Sequence, residues 1–318
     1  MKPLGIVFMG TPDFAAVCLD RLCQTDHRID AVVCQPDRPK GRGRVLTGPE
    51  VKVKALEKGL TVLQPEKPHH VDFINQIKIL APDLLVVVAY GHILCPALLA
   101  VPAIGAVNLH ASLLPRYRGP APIQWAIING ETVTGATTMW MDRGMDTGDL
   151  LLSCPVPIDP QDTAATLHDR LAIAGAELLV ETIDTIAADR VEGRPQDHDQ
   201  ATFAPMLKKS DGLIDWHRPA NALDAFVRGM TPWPGAFTHW GQKRLRILQA
   251  RPIGERGGAP GTVLEVAEGA LVVAAGQGAL AITEIQEASG KRLSAKDYLR
   301  GSALQPGEIL GIGDGLKT

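Results

Sequence analysis

The sequence predicts an α/β fold in which a doubly wound, mostly parallel sheet domain precedes a small β-rich domain. Over the first half of the chain, apolar strand-like runs alternate with helical patterns, as in Rossmann-like folds. Toward the end, short strand-like runs recur every ~10 residues between glycine-rich turns, which is typical of a small, OB-like β-barrel. The 318 residues are enough for two such domains.

The elements of the first half follow from their hydrophobic periodicity. A continuous apolar run is typical of a strand covered on both faces, and apolar residues at every third or fourth position indicate a helix. The predicted strands are 4–9, 29–34, 60–63, 84–90, 107–109, 137–141 and 150–154. The predicted helices are 14–23, 71–80 and 162–189, the last of which is capped by Asp162 and Thr163.

The stretch 191–206 is polar and without periodicity, and we expect it to link a domain of residues 1–190 to one of residues 207–318. The second domain has a predicted helix at 220–230 and predicted strands at 235–240, 245–250, 261–266, 270–274 and 279–285. The net charge of −3 divides near this boundary. Residues 1–206 carry 18 basic and 24 acidic side chains (net −6), and residues 207–318 carry 14 and 11 (net +3). A basic second domain suits a polyanionic partner.

The sequence predicts neither export nor membrane insertion. Its longest apolar run, 84–90, is far shorter than the ~20 residues that cross a bilayer, and the run 4–9 is too short for a signal peptide. The five cysteines, at positions 18, 23, 34, 95 and 154, form no CxxC pair, so we expect them to be reduced. A cytoplasmic protein without a membrane partner is therefore expected, and the lack of a long exposed apolar stripe along the sequence favours a monomer.

The turn after the first strand is not expected to bind a dinucleotide. It reads GTPDFA from Gly10 to Ala15, whereas a dinucleotide fingerprint has glycines where Pro12 and Ala15 stand. Asp13 would also place a negative charge where a phosphate should bind. We interpret the segment as a strand-to-helix turn with Pro12 in the first turn of the helix.

Asn108 and His110 lie at the end of a predicted parallel strand, where open α/β sheets bind their ligands. Their spacing of two residues places both side chains on one face. An amide can donate to a developing oxyanion and an imidazole can donate or transfer a proton, so the pair suits acyl chemistry. The alternative for a histidine in this position is the capping of a loop.

A second segment, 139–149, carries three aspartates and two glycines, which alone is typical of a solvated hairpin. Together the two segments resemble the core of the folate-dependent formyltransferases, with Asn-x-His, then Ser-Leu-Leu-Pro-x-x-Arg-Gly, and later Gly-x-Asp-x-Gly. The matching residues are Asn108, His110, Ser112, Leu113, Leu114, Pro115, Arg118, Gly119, Gly144, Asp146 and Gly148. This pattern leaves the amine acceptor open, because glycinamide-ribonucleotide and sugar-nucleotide formyltransferases are similar in this stretch.

Three further features resemble the methionyl-tRNA formyltransferases in particular. They are the turn at 10–15, the basic loop at 35–44, and the C-terminal signature formed by DGLIDW at 211–216 and TPWPGAF at 231–237. The resemblance extends over nearly the whole chain. It departs from the family pattern at Thr231, where an asparagine is more usual, and this position is outside the catalytic set.

The resemblance implies transfer of a formyl group from 10-formyltetrahydrofolate to the α-amine of methionine on initiator tRNA, for translation initiation. Asn108 would hold the formyl oxygen, His110 would stabilise the same oxygen, and Asp146 would orient His110 and help to move the proton. The predicted folate contacts are Val88, Ala89, Tyr90, Gly91, Ile93, Ser112, Leu113, Leu114 and Pro115. No metal is implied, and no cluster of histidine and cysteine offers a metal site.

The basic loop is the predicted tRNA contact, through Arg38, Lys40, Arg42 and Arg44. Proline and glycine are expected to keep residues 38–44 out of regular structure, so that the loop can grip phosphates without reading bases. A solvated surface loop is the alternative. Two other functions stay open, namely formyl transfer to a sugar-nucleotide amine and a non-catalytic RNA-binding module. The basic loop argues against the first and the intact set of Asn108, His110 and Asp146 against the second.

Overall fold

The structure is a computed structural model that describes residues 2–40, 43, 45–254, 256–267, 269–288 and 290–311. The chain forms two compact units. The first contains Met1–Pro122, Val133–Pro157 and His168–Ala204, and the second contains Ile123–Thr132, Ile158–Leu167 and Pro205–Thr318. Among the described residues, no helix is both long enough and apolar enough to cross a membrane.

As far as residue 128, the described strands and helices alternate except where β2, β3 and β4 follow one another. The strands are β1 (Gly5–Gly10), β2 (Arg28–Val33), β3 (Arg38–Lys40), β4 (Val45–Thr47), β5 (Val62–Leu63), β6 (Leu84–Val88), β7 (Gly105–His110), β8 (Val133–Trp140), β9 (Leu150–Pro157), β10 (Phe237–Trp240), β11 (Lys243–Ile253), β12 (Val263–Ala267), β13 (Ala270–Ala274), β14 (Ala279–Glu287) and β15 (Leu293–Ser294). The helices are α1 (Asp13–Leu22), α2 (Glu50–Glu57), α3 (Val71–Leu80), α4 (Pro96–Leu99), α5 (Pro122–Ile128), α6 (Ala164–Ala187), α7 (Ala220–Met230) and α8 (Ala295–Arg300).

The first unit is built on a sheet of seven described strands in the order β5-β2-β1-β6-β7-β8-β9. In this order, β5, β2, β1, β6 and β7 are parallel to one another. Strand β8 runs antiparallel to β7, and β9 runs antiparallel to β8 and so in the direction of β7. The chain moves outward from β1 through β2 to β5 and then returns to place β6 on the other side of β1. Ligands bind at such a switch point, outside the carboxyl ends of the strands.

Apolar side chains cover the sheet on both faces. On one face, β1, β2 and β6 pack against α3 and α4, with Ile77 and Leu98 fully buried. On the other face, a Cβ on Gly175 of α6 would lie 3.1 Å from Leu109 and 3.5 Å from Phe14, so glycine lets α6 approach β7 and α1 closely. Each fully buried leucine or isoleucine contributes about 1.5–3 kcal/mol to this core.

The second unit contains an antiparallel sheet in the order β10-β11-β14-β13-β12, with β15 paired to β14. The C-terminal segment bridges its two edges, because Gly311 pairs with His239 of β10 and Ile309 pairs with Thr262 beside β12. The predicted fold class is confirmed: a mostly parallel, Rossmann-like sheet is followed by an antiparallel half-barrel.

The sequence prediction of irregular backbone over residues 38–44 is wrong for Arg38–Lys40, which form β3 and pair with β4. A proline is tolerated on a strand of a two-stranded ribbon because its ring nitrogen can face away from the partner. The sequence also missed α2, α4, α5 and α8. These helices span four to eight residues, too few for a helical period to stand out.

Candidate active site

The candidate site lies at the carboxyl ends of β6 and β7, which are neighbours in the sheet. Val87 pairs with Asn108 and Val88 with Leu109, so the segments that follow, 89–93 and 111–115, leave the sheet side by side. The structure therefore brings both predicted folate segments and the Asn108–His110 pair to one edge, at the place where doubly wound sheets bind their ligands.

His110 is buried and is held by two partners. Its Nε2 lies 2.9 Å from the backbone oxygen of Tyr117, and its Nδ1 lies 3.7 Å from Oδ2 of Asp146. A carbonyl oxygen only accepts hydrogen bonds, so Nε2 must carry a proton. The other ring nitrogen, Nδ1, thus remains as the one that can exchange a proton, and it faces a carboxylate.

The Asn108 side chain is half-buried on β7, two residues before His110. Within the described part of the chain, its amide has no hydrogen-bond partner, so both of its N–H groups are available to a ligand. Since residues two apart on a strand face the same side, the amide and the imidazole of His110 are directed to the same side of the sheet.

Asp146 has a left-handed backbone, with φ +56°, which is uncommon for a residue other than glycine. Its Oδ2 accepts a hydrogen bond from the backbone N–H of Gly119 at 2.8 Å. Tyr117, whose carbonyl holds His110, also has a positive φ, of +61°. Uncommon backbone geometry of this kind persists where surrounding contacts fix it, and it is frequent at functional sites.

Sequence reasoning missed Gln196, which lies in the stretch that it assigned to a linker. The residue is buried, and its side chain joins the Arg118 guanidinium to the backbone of the Asp146 loop. Residues 191–204 belong to the first compact unit. The stretch has no hydrophobic periodicity. The signal that could have pointed to Gln196 is a polar amide in a segment without a predicted role.

The first predicted folate segment presents an exposed surface. Ala89 and Gly91 are exposed and have positive φ angles of +45° and +84°, and the Ile93 side chain is 81% exposed. The Tyr90 carbonyl between them accepts hydrogen bonds from Thr11 Oγ1 at 2.9 Å and Gln35 Nε2 at 3.1 Å. The turns after β1 and β2 thus hold this segment in place.

Val88 and Tyr90 themselves are buried. The Tyr90 hydroxyl has no hydrogen-bond partner among the described residues, and its burial raises the pKa of Tyr90 to about 12. A buried hydroxyl without a partner is costly, since it has left water without a replacement bond. This atom is therefore a candidate to bond a polar group of a bound ligand.

The second predicted folate segment is less open. Ser112 is buried and donates from Oγ to the Arg116 oxygen at 2.6 Å, and Leu114 is buried with its N–H bonded to Thr137 Oγ1 at 3.2 Å. Leu113 and Pro115 are partly exposed. The exposed part of this segment is therefore supplied by Leu113 and Pro115, whereas Ser112 and Leu114 bond to the protein itself.

The basic hairpin, defined as β3, β4 and the residues between them, carries the predicted tRNA contacts. Arg38 is exposed on β3, and Lys40 is the last residue of that strand. Arg42 and Arg44 lie outside the described residues. At the base of the hairpin, Lys52 Nζ lies 2.7 Å from Oδ2 of Asp37, and Gln64 Nε2 lies 2.8 Å from Oδ1.

Two other predictions concern metals and thiols. In the described ranges, no group of three or more His, Cys, Asp or Glu side chains is arranged to hold a metal ion. All five cysteines are free, with Cys18 and Cys34 buried and the other three partly exposed. Burial raises the pKa of Cys18 to about 12, so this thiol is expected to be unreactive.

Comparison with known proteins decides the family. The Formyl transferase family model matches residues 4–183, and the model of the Formyl transferase C-terminal domain matches residues 206–303. The methionyl-tRNA formyltransferase of Geobacter metallireducens is 49% identical over 311 residues, which is 98% of this chain and 100% of the relative. That of Pelobacter propionicus is 50% identical over 311 residues, or 98% of this chain and 97% of the relative.

The chain belongs to the methionyl-tRNA formyltransferase family. Among solved structures, this family member resembles HypX from Aquifex aeolicus in complex with tetrahydrofolic acid, with TM-score 0.61 and 19% identity over 94% of this chain and 47% of that one. It also resembles an N-formyltransferase of Helicobacter canadensis in complex with folinic acid and dTDP-3-aminofucose, with TM-score 0.65 and 17% identity over 92% of this chain and 100% of that one. At these identities, the likeness concerns the fold.

Proposed function

We propose that this chain transfers the formyl group of 10-formyltetrahydrofolate to the α-amine of methionine on initiator tRNA, as a cytoplasmic monomer. The observation that carries the proposal is the pairing of His110 with Asp146, 3.7 Å apart, on the same sheet edge as the unpartnered Asn108 amide. Full-length relatives near 49% identity bear the name of this activity.

In the proposed reaction, the amine lone pair attacks the formyl carbon, and the formyl C=O bond opens to an oxyanion. Asn108 donates from its free amide to that oxygen, and His110, when it also carries a proton on Nδ1, stabilises the same oxygen. The C–N10 bond then breaks, so the amine loses one proton and N10 gains one. His110 Nδ1 and Asp146 move this proton, directly or through water, because the Tyr117 carbonyl occupies the other ring nitrogen.

The residues at the sheet edge fit a folate. A bound folate supplies the formyl carbon and the leaving nitrogen. Ala89, Gly91 and Ile93 offer exposed backbone and an apolar side chain beside Asn108, and the unpartnered Tyr90 hydroxyl offers a buried polar contact. Leu113 and Pro115 would complete the apolar surface against the flat pterin.

Two basic surfaces support tRNA as the acceptor. One is the basic hairpin of the first unit. The other lies on the second unit's sheet, where Arg244 and Arg246 of β11 face the same side as Phe237 and His239 of β10. The Arg244 guanidinium lies 3.6 Å from the centre of the Phe237 ring, and burial together with the charge of Arg246 lowers the pKa of Arg244.

This face of the second unit suits an anion. Among the described residues, neither guanidinium is paired with a carboxylate. The Arg246 guanidinium donates to uncharged acceptors, the Pro232 oxygen at 3.1 Å and Gln286 Oε1 at 3.4 Å. Two adjacent guanidinium groups without an acid repel each other, and a phosphate between or beside them would relieve that repulsion. We propose that the second unit binds tRNA here while the first unit performs the chemistry.

The second candidate acceptor is a sugar-nucleotide amine, which the core motif does not exclude. The solved N-formyltransferase from Helicobacter canadensis, in complex with dTDP-3-aminofucose, shares the fold at 17% sequence identity, whereas the methionyl-tRNA formyltransferases are 48–50% identical to this chain. The basic hairpin and the Arg244–Arg246 face also offer more positively charged surface than a compact nucleotide needs for binding. These observations favour tRNA.

One assay tests the proposal. The protein is incubated with 10-formyltetrahydrofolate and either methionyl initiator tRNA, uncharged initiator tRNA or an amino-sugar nucleotide, and formyl transfer is followed. Product is expected with the charged tRNA alone. Product with the sugar nucleotide and none with charged tRNA would replace the proposed acceptor. Absence of transfer to any acceptor, together with retained tRNA binding, would favour a non-catalytic RNA-binding module.

A further inference from the structure

We propose that Gln196 is a positioning residue for catalysis, which fixes the Asp146 carboxylate by tying the Asp146 loop to Arg118. The test of this inference measures formyl transfer, so the inference rests on the proposed function. The observations that support it are hydrogen bonds within the first unit. Gln196 need not touch either substrate, since it acts through the backbone of the residue that faces His110.

The Gln196 side chain uses its full hydrogen-bonding capacity while only 6% exposed. Its Nε2 donates to the Asp146 oxygen at 2.9 Å and to the Gly148 oxygen at 2.7 Å. Its Oε1 accepts from Arg118 Nε at 3.1 Å and Nη2 at 2.6 Å. A primary amide has two donors and two acceptor positions, and all four are occupied.

These bonds close a ring of contacts around the reactive side chains. The Tyr117 oxygen accepts from His110 Nε2, and the Gly119 N–H donates to Asp146 Oδ2. Arg118 lies between Tyr117 and Gly119 in the chain. Its guanidinium donates to Gln196 Oε1, and Gln196 Nε2 donates in turn to the backbone oxygen of Asp146. The three residues 117–119 therefore set the position of both His110 and Asp146, and Gln196 connects them to the Asp146 loop.

The Asp146 loop needs such a connection. Asp146 has φ +56°, a conformation that costs free energy in a residue other than glycine and that surrounding contacts help to maintain. Its own carbonyl and that of Gly148 are both bonded to Gln196. Loss of these two bonds would release the loop toward extended backbone, and the carboxylate would move away from its place 3.7 Å from His110 Nδ1.

The chemistry of the contacts requires an amide at position 196. A glutamate of the same shape could accept from Arg118 and would form an ion pair with it. The same carboxylate has no proton to donate, so it would place an acceptor against the Asp146 and Gly148 carbonyls. Gln196→Glu therefore keeps the contact with Arg118 and loses the hydrogen bonds to the Asp146 and Gly148 oxygens.

The test compares Gln196→Glu and Gln196→Ala with Gln200→Ala as a matched control. Gln200 lies four residues away, is exposed, and bonds to Asp197 rather than to this ring. We expect Gln196→Glu to lower kcat ~10–100-fold, because small displacements of reacting groups have effects of this size. Both KM values should stay near those of the parent, whereas the melting temperature should fall by a few degrees, because two buried carbonyl oxygens lose their donor. Gln200→Ala should behave as the parent in all three measurements.

A double-mutant cycle then distinguishes positioning from a merely structural role. In an Asp146→Ala background, Gln196→Glu should change single-turnover formyl transfer less than ~2-fold, since the group that it positions is gone. The inference would be overturned if the rate losses of Gln196→Glu and Asp146→Ala multiplied in the double variant. It would also be overturned if Gln196→Glu alone were as active as the parent. The cycle is measured with whichever amine the parent protein formylates, so a failure of the proposed tRNA acceptor would be seen separately.

Discussion

The candidate active site and the basic hairpin are both polar, but they are held in opposite ways. His110, Arg118 and Gln196 are buried, and their polar atoms are bonded within one unit. The hairpin instead exposes Arg38 and is attached at its base through Asp37, Lys52 and Gln64. The buried, bonded arrangement suits catalysis, because catalysis depends on the positions of reacting groups to within fractions of an ångström. The exposed hairpin suits the binding of phosphates, because attraction between opposite charges acts over longer distances.

The difference leads to separate kinetic signatures. Changes in the buried ring should act on kcat, because the groups that stabilise the transition state are displaced or lost. Changes in the hairpin should act on the KM for tRNA and on its salt dependence, because they remove charge from an exposed surface.

The largest effect is expected from Asn108→Ala. Loss of one oxyanion donor typically costs ~10²–10³-fold in kcat, and the free Asn108 amide is the candidate donor. Steady-state kinetics should show the loss in kcat with tRNA binding retained, and Asn221→Ala, an exposed asparagine of the second unit, serves as control. Near-normal turnover would exclude Asn108 as the oxyanion donor.

Gly119→Ala is expected to reduce both stability and turnover. Gly119 has φ +115°, and a Cβ there would lie 2.8 Å from the Ala204 oxygen, so the backbone that donates to Asp146 must shift. We expect a loss of ~1–3 kcal/mol in the free energy of unfolding, measured by urea denaturation, and a kcat reduced at least tenfold. Gly59→Ala is the matched control, because Gly59 has φ +69° with no atom within 4 Å of the added Cβ. Equal effects of the two substitutions would show that backbone strain, and not the site, is responsible.

Arg38→Gln and Arg244→Gln should raise the KM for tRNA several-fold, with kcat and the KM for folate unchanged. Each removes a charge that we assign to phosphate contact, so the slope of log affinity against log salt should fall by about 1 per substitution. Filter binding of tRNA at several salt concentrations measures this slope. A salt slope equal to that of the parent would remove the corresponding surface from the proposed tRNA contact.

The smallest effect concerns the base of the hairpin. A hydrogen bond from Lys52, followed by one from Gln64, lowers the pKa of Asp37 below its ordinary 3.8. The contribution of this ion pair is therefore present above about pH 4 and is lost as the pH falls through the lowered pKa of Asp37. NMR titration of the carboxyl carbon should show Asp37 titrating below 3.8, and Lys52→Met should move it upward. An unchanged titration in Lys52→Met would mean that the pair does not hold the hairpin.

Much of the fold was predictable because its signals are local. The run LLVVV of β6 is buried throughout, and the periodicity of α7 placed it at Ala220–Met230, as the structure has it. Asn108 and His110 were found as site candidates because their spacing and strand-end position are visible along the chain. The hairpin strand β3 was missed, since its pairing with β4 is a contact that composition does not reveal.

The sequence by itself determined the two folds, the family and the residue types at the candidate site, because hydrophobic periodicity and a long motif are written along the chain. Only the tertiary structure decided that Gln196 belongs with Asp146 and that Tyr117 and Gly119 hold His110 and Asp146 through their backbone. The physical reason is that these bonds join residues 7 to 50 positions apart and use main-chain atoms, which every residue has and no sequence pattern distinguishes.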